Sequence, residues 1–201
     1  MKKFMLYAVV AATILLGLAF TVKWDKSDQN EEVPIYIKYA DSITNPYIKD
    51  MCKQHNLSYF GGGGGFLYNV ENINIKFISK KQVDIEQARN FLITCSEELL
   101  ERINTSDKIR PYLDHYPFTK KGIQLDICYF DQKRTWNNPR FIAQATASNG
   151  YVYYAVFDHK KRELKTIYKE SYQDALKIAQ SHNGNLPFAS RISIKRNNKK
   201  T

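Results

Sequence analysis

The stretch Asp84-Ile85-Glu86-Gln87-Ala88-Arg89-Asn90-Phe91-Leu92-Ile93-Thr94-Cys95-Ser96-Glu97-Glu98-Leu99-Leu100-Glu101-Arg102-Ile103 decides how this chain folds. Ile85, Ala88, Leu92, Cys95, Leu99 and Ile103 recur at three- and four-residue steps, so they share one helix face. Glu86, Arg89, Glu97, Glu101 and Arg102 fall elsewhere on the wheel. Asp84 with Gln87 three residues on is a capping-box pattern, in which each side chain takes the other's backbone N–H. Asn104-Thr105-Ser106 ends the helix, and Pro111 limits any continuation. A helix with one apolar stripe must bury it against another layer.

On the N-terminal side, Ile73, Ile75 and Phe77 alternate with Asn72, Asn74 and Lys76, the period of a strand. The glycine run 61–65 precedes it and is expected to break regular structure. Before that, Asn45-Pro46 reads as a helix start, and Ile43, Tyr47, Ile48, Met51, Cys52 and His55 fall on one stripe. On the C-terminal side the period becomes two. Ile123, Leu125, Ile127 and Tyr129 face one way, and Gln124, Asp126, Cys128 and Phe130 the other. Phe141 to Ala147 alternates similarly. Asn149-Gly150 is a hairpin signal, because both positions tolerate positive φ. Tyr151 to Phe157 is the return strand, Leu164 to Tyr168 another, and Ser171 begins a last helix closed by Asn183-Gly184.

The expected fold is therefore α+β. A long helix packs on an antiparallel sheet of four to five strands, in a β-α-β-β-β-β core with extra N- and C-terminal helices. The topology resembles that of cystatin-like domains, a likeness of fold alone. The Gln-x-Val-x-Gly loop of cystatins is absent, since Gln82-Val83-Asp84 does not match it.

The N-terminus supplies an address. Lys2 and Lys3 precede an uncharged, mostly apolar run at residues 4–22 that ends before Lys23. A membrane-spanning helix needs about 20 such residues. Gly17 and Ala19 also have the small-x-small spacing of a secretory cleavage site, so an anchor and a cleaved signal are both readings of the run. The basic leader stays inside by the positive-inside rule, which exports the body. The expected arrangement is an anchor or signal at 1–22, a polar tether at 23–34, an exported domain at 35–184 and a basic tail at 185–201. The expected location is the inner membrane, single-pass with the body on the periplasmic side; the alternative is secretion.

Several segments carry a resemblance. Asn56-Leu57-Ser58-Tyr59-Phe60, Lys108-Ile109-Arg110-Pro111-Tyr112-Leu113, His115-Tyr116-Pro117-Phe118 and Lys169-Glu170-Ser171-Tyr172 with Ala175-Leu176 resemble a group of uncharacterised proteins of intracellular bacteria. Those proteins have an apolar N-terminal segment. The similarity covers roughly Tyr47 to Ala179 and implies the same architecture and address. No activity is attached to the group, so no catalytic residue carries over.

Composition narrows the chemistry. The 201 residues are 43% hydrophobic and 13% aromatic, which excludes collagen-like and wholly disordered chains. The three cysteines, Cys52, Cys95 and Cys128, do not make a disulfide scaffold. In an exported body one bridge is an option, with Cys52 and Cys128 the first pair to test. Cys52 and His55 at i, i+3 are a nominal nucleophile pair, and Asp114-His115 a nominal acid–base pair, but neither has an orienting group or oxyanion hole in sequence. His55, His115, His159 and His182 are isolated, so no metal site and no cofactor are expected. The glycine run lacks the Lys-Ser or Lys-Thr of a nucleotide loop. Gly61, Gly62, Gly63, Gly64 and Gly65 read as a flexible connection, with a mobile lip over a binding surface as the functional alternative.

Charge is uneven. Residues 1–103 carry 12 basic and 12 acidic side chains, whereas residues 104–201 carry 18 and 8, so the net charge of +10 lies in the second half. Arg191, Lys195 and Arg196 belong to an acid-free tail suited to anionic lipid headgroups or a surface polymer. No stacking motif or recognition helix points to specific nucleic-acid binding. Tyr151 and Tyr153 share a strand face and are a second candidate contact surface. The expected function is a membrane-tethered, exported binding domain without catalysis, partnered by the membrane through residues 4–22 and by an envelope component or protein. The alternatives are a small exported hydrolase with a nonlocal Cys/His site and a secreted host-directed factor.

Overall fold

A computed structural model of the chain describes residues 32–130 and 140–182. The apolar run 4–22, most of the 23–34 tether and the tail 185–201 lie outside the described residues. The described chain is α+β. Three helices, α1 (Ile35–His55), α2 (Ile85–Asn104) and α3 (Tyr172–His182), accompany one six-stranded sheet. The strands are β1 (Ser58–Gly65), β2 (Asn72–Ser79), β3 (Ile123–Tyr129), β4 (Gln144–Ser148), β5 (Tyr151–Asp158) and β6 (Glu163–Ser171), in the order β1-β2-β3-β4-β5-β6.

From β2 to β6 the elements follow the expected β-α-β-β-β-β order, but the sheet is mixed. β2 and β3 run parallel, and every other neighbouring pair is antiparallel. This corrects the expectation of an antiparallel sheet of four to five strands. The reason is the connection. A helix of 20 residues carries the chain about 30 Å back along the sheet, so the next strand starts where β2 started.

The sixth strand is the glycine run. It does not break regular structure but forms β1, paired with β2 from Ser58↔Ile78 to Gly65↔Asn72. A Cβ at Gly62 would lie 2.7 Å from the Asn74 carbonyl oxygen, and one at Gly64 would strike the Asn72 carbonyl and the Phe66 ring. β1 sits where only glycine fits at those two positions.

α1 also starts earlier than expected. It runs through Pro46 instead of beginning there, with Pro34 at its N-cap and Asn56 closing it in the left-handed conformation. An interior proline forfeits a helical hydrogen bond and crowds the preceding turn. Burial offsets that cost, because Ala40, Ile43, Tyr47 and Met51 sink one stripe into the core and the Tyr47 hydroxyl donates to the Cys95 carbonyl at 3.0 Å.

α2 is the centre of the core. Its capping box forms as expected, with Asp84 Oδ1 accepting from Gln87 N at 2.8 Å and Gln87 Oε1 from Asp84 N at 3.2 Å. Ala88, Leu92, Cys95, Leu99 and Ile103 pack with Ile73, Ile75, Phe77, Leu125, Ile127, Ala145 and Tyr154 in one cluster. Side-chain bonds tie it to each neighbour. Arg102 Nη2 meets Asp50 of α1 at 2.7 Å and its own Glu98 at 2.6 Å. The Tyr172 hydroxyl of α3 donates to Glu97 at 2.8 Å. Arg89 Nε donates to Glu170 of β6 at 2.7 Å, where the Tyr154 hydroxyl also donates at 2.6 Å. A buried carboxylate of this kind needs such partners to offset its desolvation.

The Asn149-Gly150 turn has both residues at positive φ, 51° and 77°, as the dipeptide requires. Ser171 caps α3, its Oγ accepting from Asp174 N at 3.1 Å.

Candidate functional site

All three helices bury against one face of the sheet. The opposite face carries the alternate residues of every strand, and none of the described helices packs on it. Register aligns these residues in rows. One row reads Gly61, Lys76, Asp126, Thr146, Tyr153 and Lys169, each paired directly with the next. A second reads Gly63, Asn74, Gln124, Ser148, Tyr151 and Ser171. At a strand spacing of about 4.8 Å a six-strand row spans roughly 24 Å.

Asp126 organises the middle of this face. It is only 5% exposed, and its carboxylate accepts from Thr146 Oγ1 at 2.5 Å, Gln144 Nε2 at 3.0 Å and Gln124 Nε2 at 3.1 Å. Lys76 Nζ stands 3.9 Å away. Three donors and one cation compensate the buried charge, and in return Asp126 fixes the orientation of the polar side chains around it. Gly61, Gly62, Asn74, Lys76, Gln124 and Asp126 line a depression of about 310 Å³ between this network and the glycine strand. Glycine contributes to the depression, since at Gly61 there is open space where a side chain would stand.

The other end of the row is aromatic and cationic. Lys169 Nζ lies 4.0 Å from the Tyr151 ring centroid and 5.0 Å from that of Tyr153. This geometry holds a lysine by cation–π attraction while leaving its charge unneutralised.

The two groups of residues singled out in sequence, the glycines and the tyrosines, thus reach one sheet. Gly61, Gly63, Tyr151 and Tyr153 fall in the rows of the face on which no described helix packs. Gly62 and Gly64 pack against β2, and Gly62 and Gly63 also line a smaller cavity of about 130 Å³ beneath α1. Asn45, expected as an N-cap, lines that cavity instead. Arg191, Lys195 and Arg196 lie outside the described residues.

Sequence reasoning placed Gln124 and Asp126 on the polar side of their strand but did not join them to Lys76, Gln144, Thr146 and Lys169. The signal was there in the alternation of β2 and β3. What was missing was the register that lines up strands far apart in sequence.

The candidate chemical groups are dispersed. Cys52, Cys95 and Cys128 are free thiols. Cys52 belongs to α1, whereas Cys128 alternates with Ile127 and Tyr129 and shares the Asp126 face, so the sheet stands between the two cysteines singled out as the first pair to test for a bridge. Burial pushes the Cys95 and Cys128 thiols above their ordinary value, with Asp126 adding to the effect and Lys76 opposing it at Cys128. His55 sets its ring edge-on to Phe91 at 5.0 Å. His115 Nδ1 meets Asp114 at 2.6 Å on an exposed turn. No group of three or more His, Cys, Asp or Glu side chains among the described residues converges on a metal site. Among the described residues no helix is long and apolar enough to cross a membrane. No protein-family profile, curated protein or solved structure matches the chain.

Proposed function

We propose that the chain is a membrane-tethered, exported binding domain that carries out no reaction of its own and takes its ligand on the uncovered face of the sheet. The observation behind this reading is the row Lys76–Asp126–Thr146–Tyr153–Lys169, in which Asp126 holds Thr146 and faces Lys76 at one end and Lys169 lies over Tyr153 at the other, beside a glycine-lined depression. Convergent polar groups in fixed orientation beside a concavity are what a ligand site requires. The dispersal of the candidate groups supports binding over a hydrolase: the His55 ring is set edge-on to Phe91, and His115 meets Asp114 on an exposed turn away from the cysteines. The tether rests on residues 4–22, whose length and flanking charges fit a span, and on the resemblance to anchored or secreted proteins of intracellular bacteria.

Two measurements test the reading. Fractionation is expected to recover the intact chain with membranes; recovery in the soluble cytosol overturns the tether. Thr146→Trp fills the centre of the row from an outward-facing position. Partners that co-purify with the wild-type chain from solubilised membranes are expected to be lost from this variant, while its unfolding free energy falls only by the roughly 1 kcal/mol that losing the Thr146 donor to Asp126 costs. Equal recovery with both chains overturns the assignment of the face.

A further inference from the structure

We propose that the β5–β6 hairpin is a second contact surface, which lies against an anionic lipid headgroup layer. The proposal rests on the tethered reading above; it shares Lys169, Tyr151 and Tyr153 with the sheet face and adds the turn and edge-strand residues from Lys160 to Tyr168.

Strand β6 is the sheet edge opposite the glycine strand, and its first seven positions, Glu163 to Lys169, are all exposed. Interior burial therefore does not dictate what stands there. The residues that do stand there fall into two kinds. Lys160, Lys161, Arg162, Lys165 and Lys169 are cations, against Asp158 and Glu163 within the same segment. Asp158 is used by the turn, accepting from the backbone N–H groups of Lys160 at 2.9 Å and Lys161 at 3.2 Å, and Glu163 stands 3.9 Å from Lys161. The other cations of the segment have no carboxylate within ion-pair distance among the described residues. Lys169 is held over Tyr151 and Tyr153 instead.

The second kind is apolar. Leu164 is 39% exposed, Ile167 48% and Tyr168 43%. They lie on the same strand as Lys165 and Lys169, beside a register shift at Tyr154/Ala155. A soluble polyanion, whether nucleic acid or acidic glycan, has a use for the cations and for aromatic rings but none for Leu164 and Ile167. A headgroup layer uses all of them. Anionic headgroups take the ammonium groups, tyrosine rings settle at the interface, and aliphatic side chains reach the acyl boundary while lysine stems lie along it. Such a layer is already the partner that the tethered reading gives to residues 4–22.

The test uses the full chain reconstituted into nanodiscs of phosphatidylcholine alone and of phosphatidylcholine with about 30 mol% phosphatidylglycerol, a charge density sufficient to recruit lysines. Amide exchange is followed for residues 158–169. The expected result is exchange slowed about tenfold in the anionic discs alone, with the slowing lost in 0.5 M salt, where the Debye length is a few ångströms. Lys160→Glu with Lys165→Glu, and separately Leu164→Ser with Ile167→Ser, are each expected to abolish the slowing while exchange in α2 stays unchanged, which shows that the variants fold. Equal exchange in the two discs overturns the proposal. So does protection by a soluble oligonucleotide or sulfated oligosaccharide that survives Leu164→Ser with Ile167→Ser, which would make the hairpin a polyanion site. A chain that carbonate extracts from the discs has lost its tether and not its hairpin. Co-sedimentation with vesicles of the same two compositions then reads the hairpin directly, and binding without dependence on phosphatidylglycerol overturns it.

Discussion

The two faces of the sheet come from the same strands, one residue out of step, and they behave as different materials. On β3 the residues Ile123, Leu125, Ile127 and Tyr129 enter the core beneath the helices, while Gln124 and Asp126 between them enter a polar network. The covered face is held by shape and by removal of apolar surface from water. The other face is held by direction: Gln124 from the same strand, and Lys76, Gln144 and Thr146 from the neighbouring ones, are placed around Asp126. Most of the packing energy and the proposed contact surface therefore sit on opposite sides of one layer, and substitutions should separate them.

The largest effect is expected in the covered face. Phe77 is fully buried and meets the Tyr47 and Tyr59 rings at 6.2 and 6.5 Å. Phe77→Ala should cost about 3–5 kcal/mol in urea unfolding, from lost transfer energy and the cavity left behind. A loss under about 1 kcal/mol would mean that this face is not the core. The buried Arg89–Glu170 pair comes next. Glu170→Ala removes the acceptor shared by Arg89 and Tyr154 and strands a buried cation, a loss of about 3 kcal/mol. Replacing both partners by apolar residues of similar volume should recover much of it.

The glycine strand sharpens the comparison further. Gly64→Ala should destabilise the chain by about 1–3 kcal/mol, because its Cβ meets the Asn72 carbonyl and the Phe66 ring. Gly63→Ala meets nothing within 4 Å and should change stability by less than about 0.5 kcal/mol. Equal effects at the two positions would dissolve the β1–β2 register. On the uncovered face, Thr146→Val removes one of three donors to Asp126 and should cost about 1 kcal/mol in the same assay.

The smallest effect is a slope with pH. Cys95 ionises ordinarily near 9.0, and burial raises it in the folded chain. Above pH 9 the unfolded chain releases that proton and the folded chain keeps it, so stability should fall as pH rises from 9 toward 11. Cys95→Ala should make the slope shallower without removing it, because burial also raises the Cys128 thiol and the Tyr47, Tyr129, Tyr154 and Tyr172 hydroxyls. In the native chain Cys95 and Cys128 should also resist alkylation at pH 8, and rapid labelling of Cys95 would place it outside the core.

Local chemistry made part of this legible from sequence. The Asp84–Gln87 capping box, the 3.6-residue stripe of α2 and the Asn149-Gly150 turn involve residues within a few positions of each other, and all three form as expected. The glycine run misled because glycine weakens a strand on average, whereas here the close approach of the Asn72 and Asn74 carbonyls demands it. Pro46 misled because its local penalty is small beside the burial of Tyr47 and Met51, which neighbouring residues do not reveal. At the site, the polarity of Asp126 was visible in the alternation of its strand, but its three donors were not.

By itself the sequence determined that α2 and α3 are helices and β2 to β6 strands, which side of β3 is greasy, and where the positive charge collects, because each depends on neighbours within one or two turns of chain. Only the tertiary structure decided that β2 and β3 run parallel, that β1 completes the sheet, and that Lys76, Asp126, Thr146, Tyr153 and Lys169 stand in a row. Register between strands separated by tens of residues is set by how a whole core packs, and no local stretch carries that information.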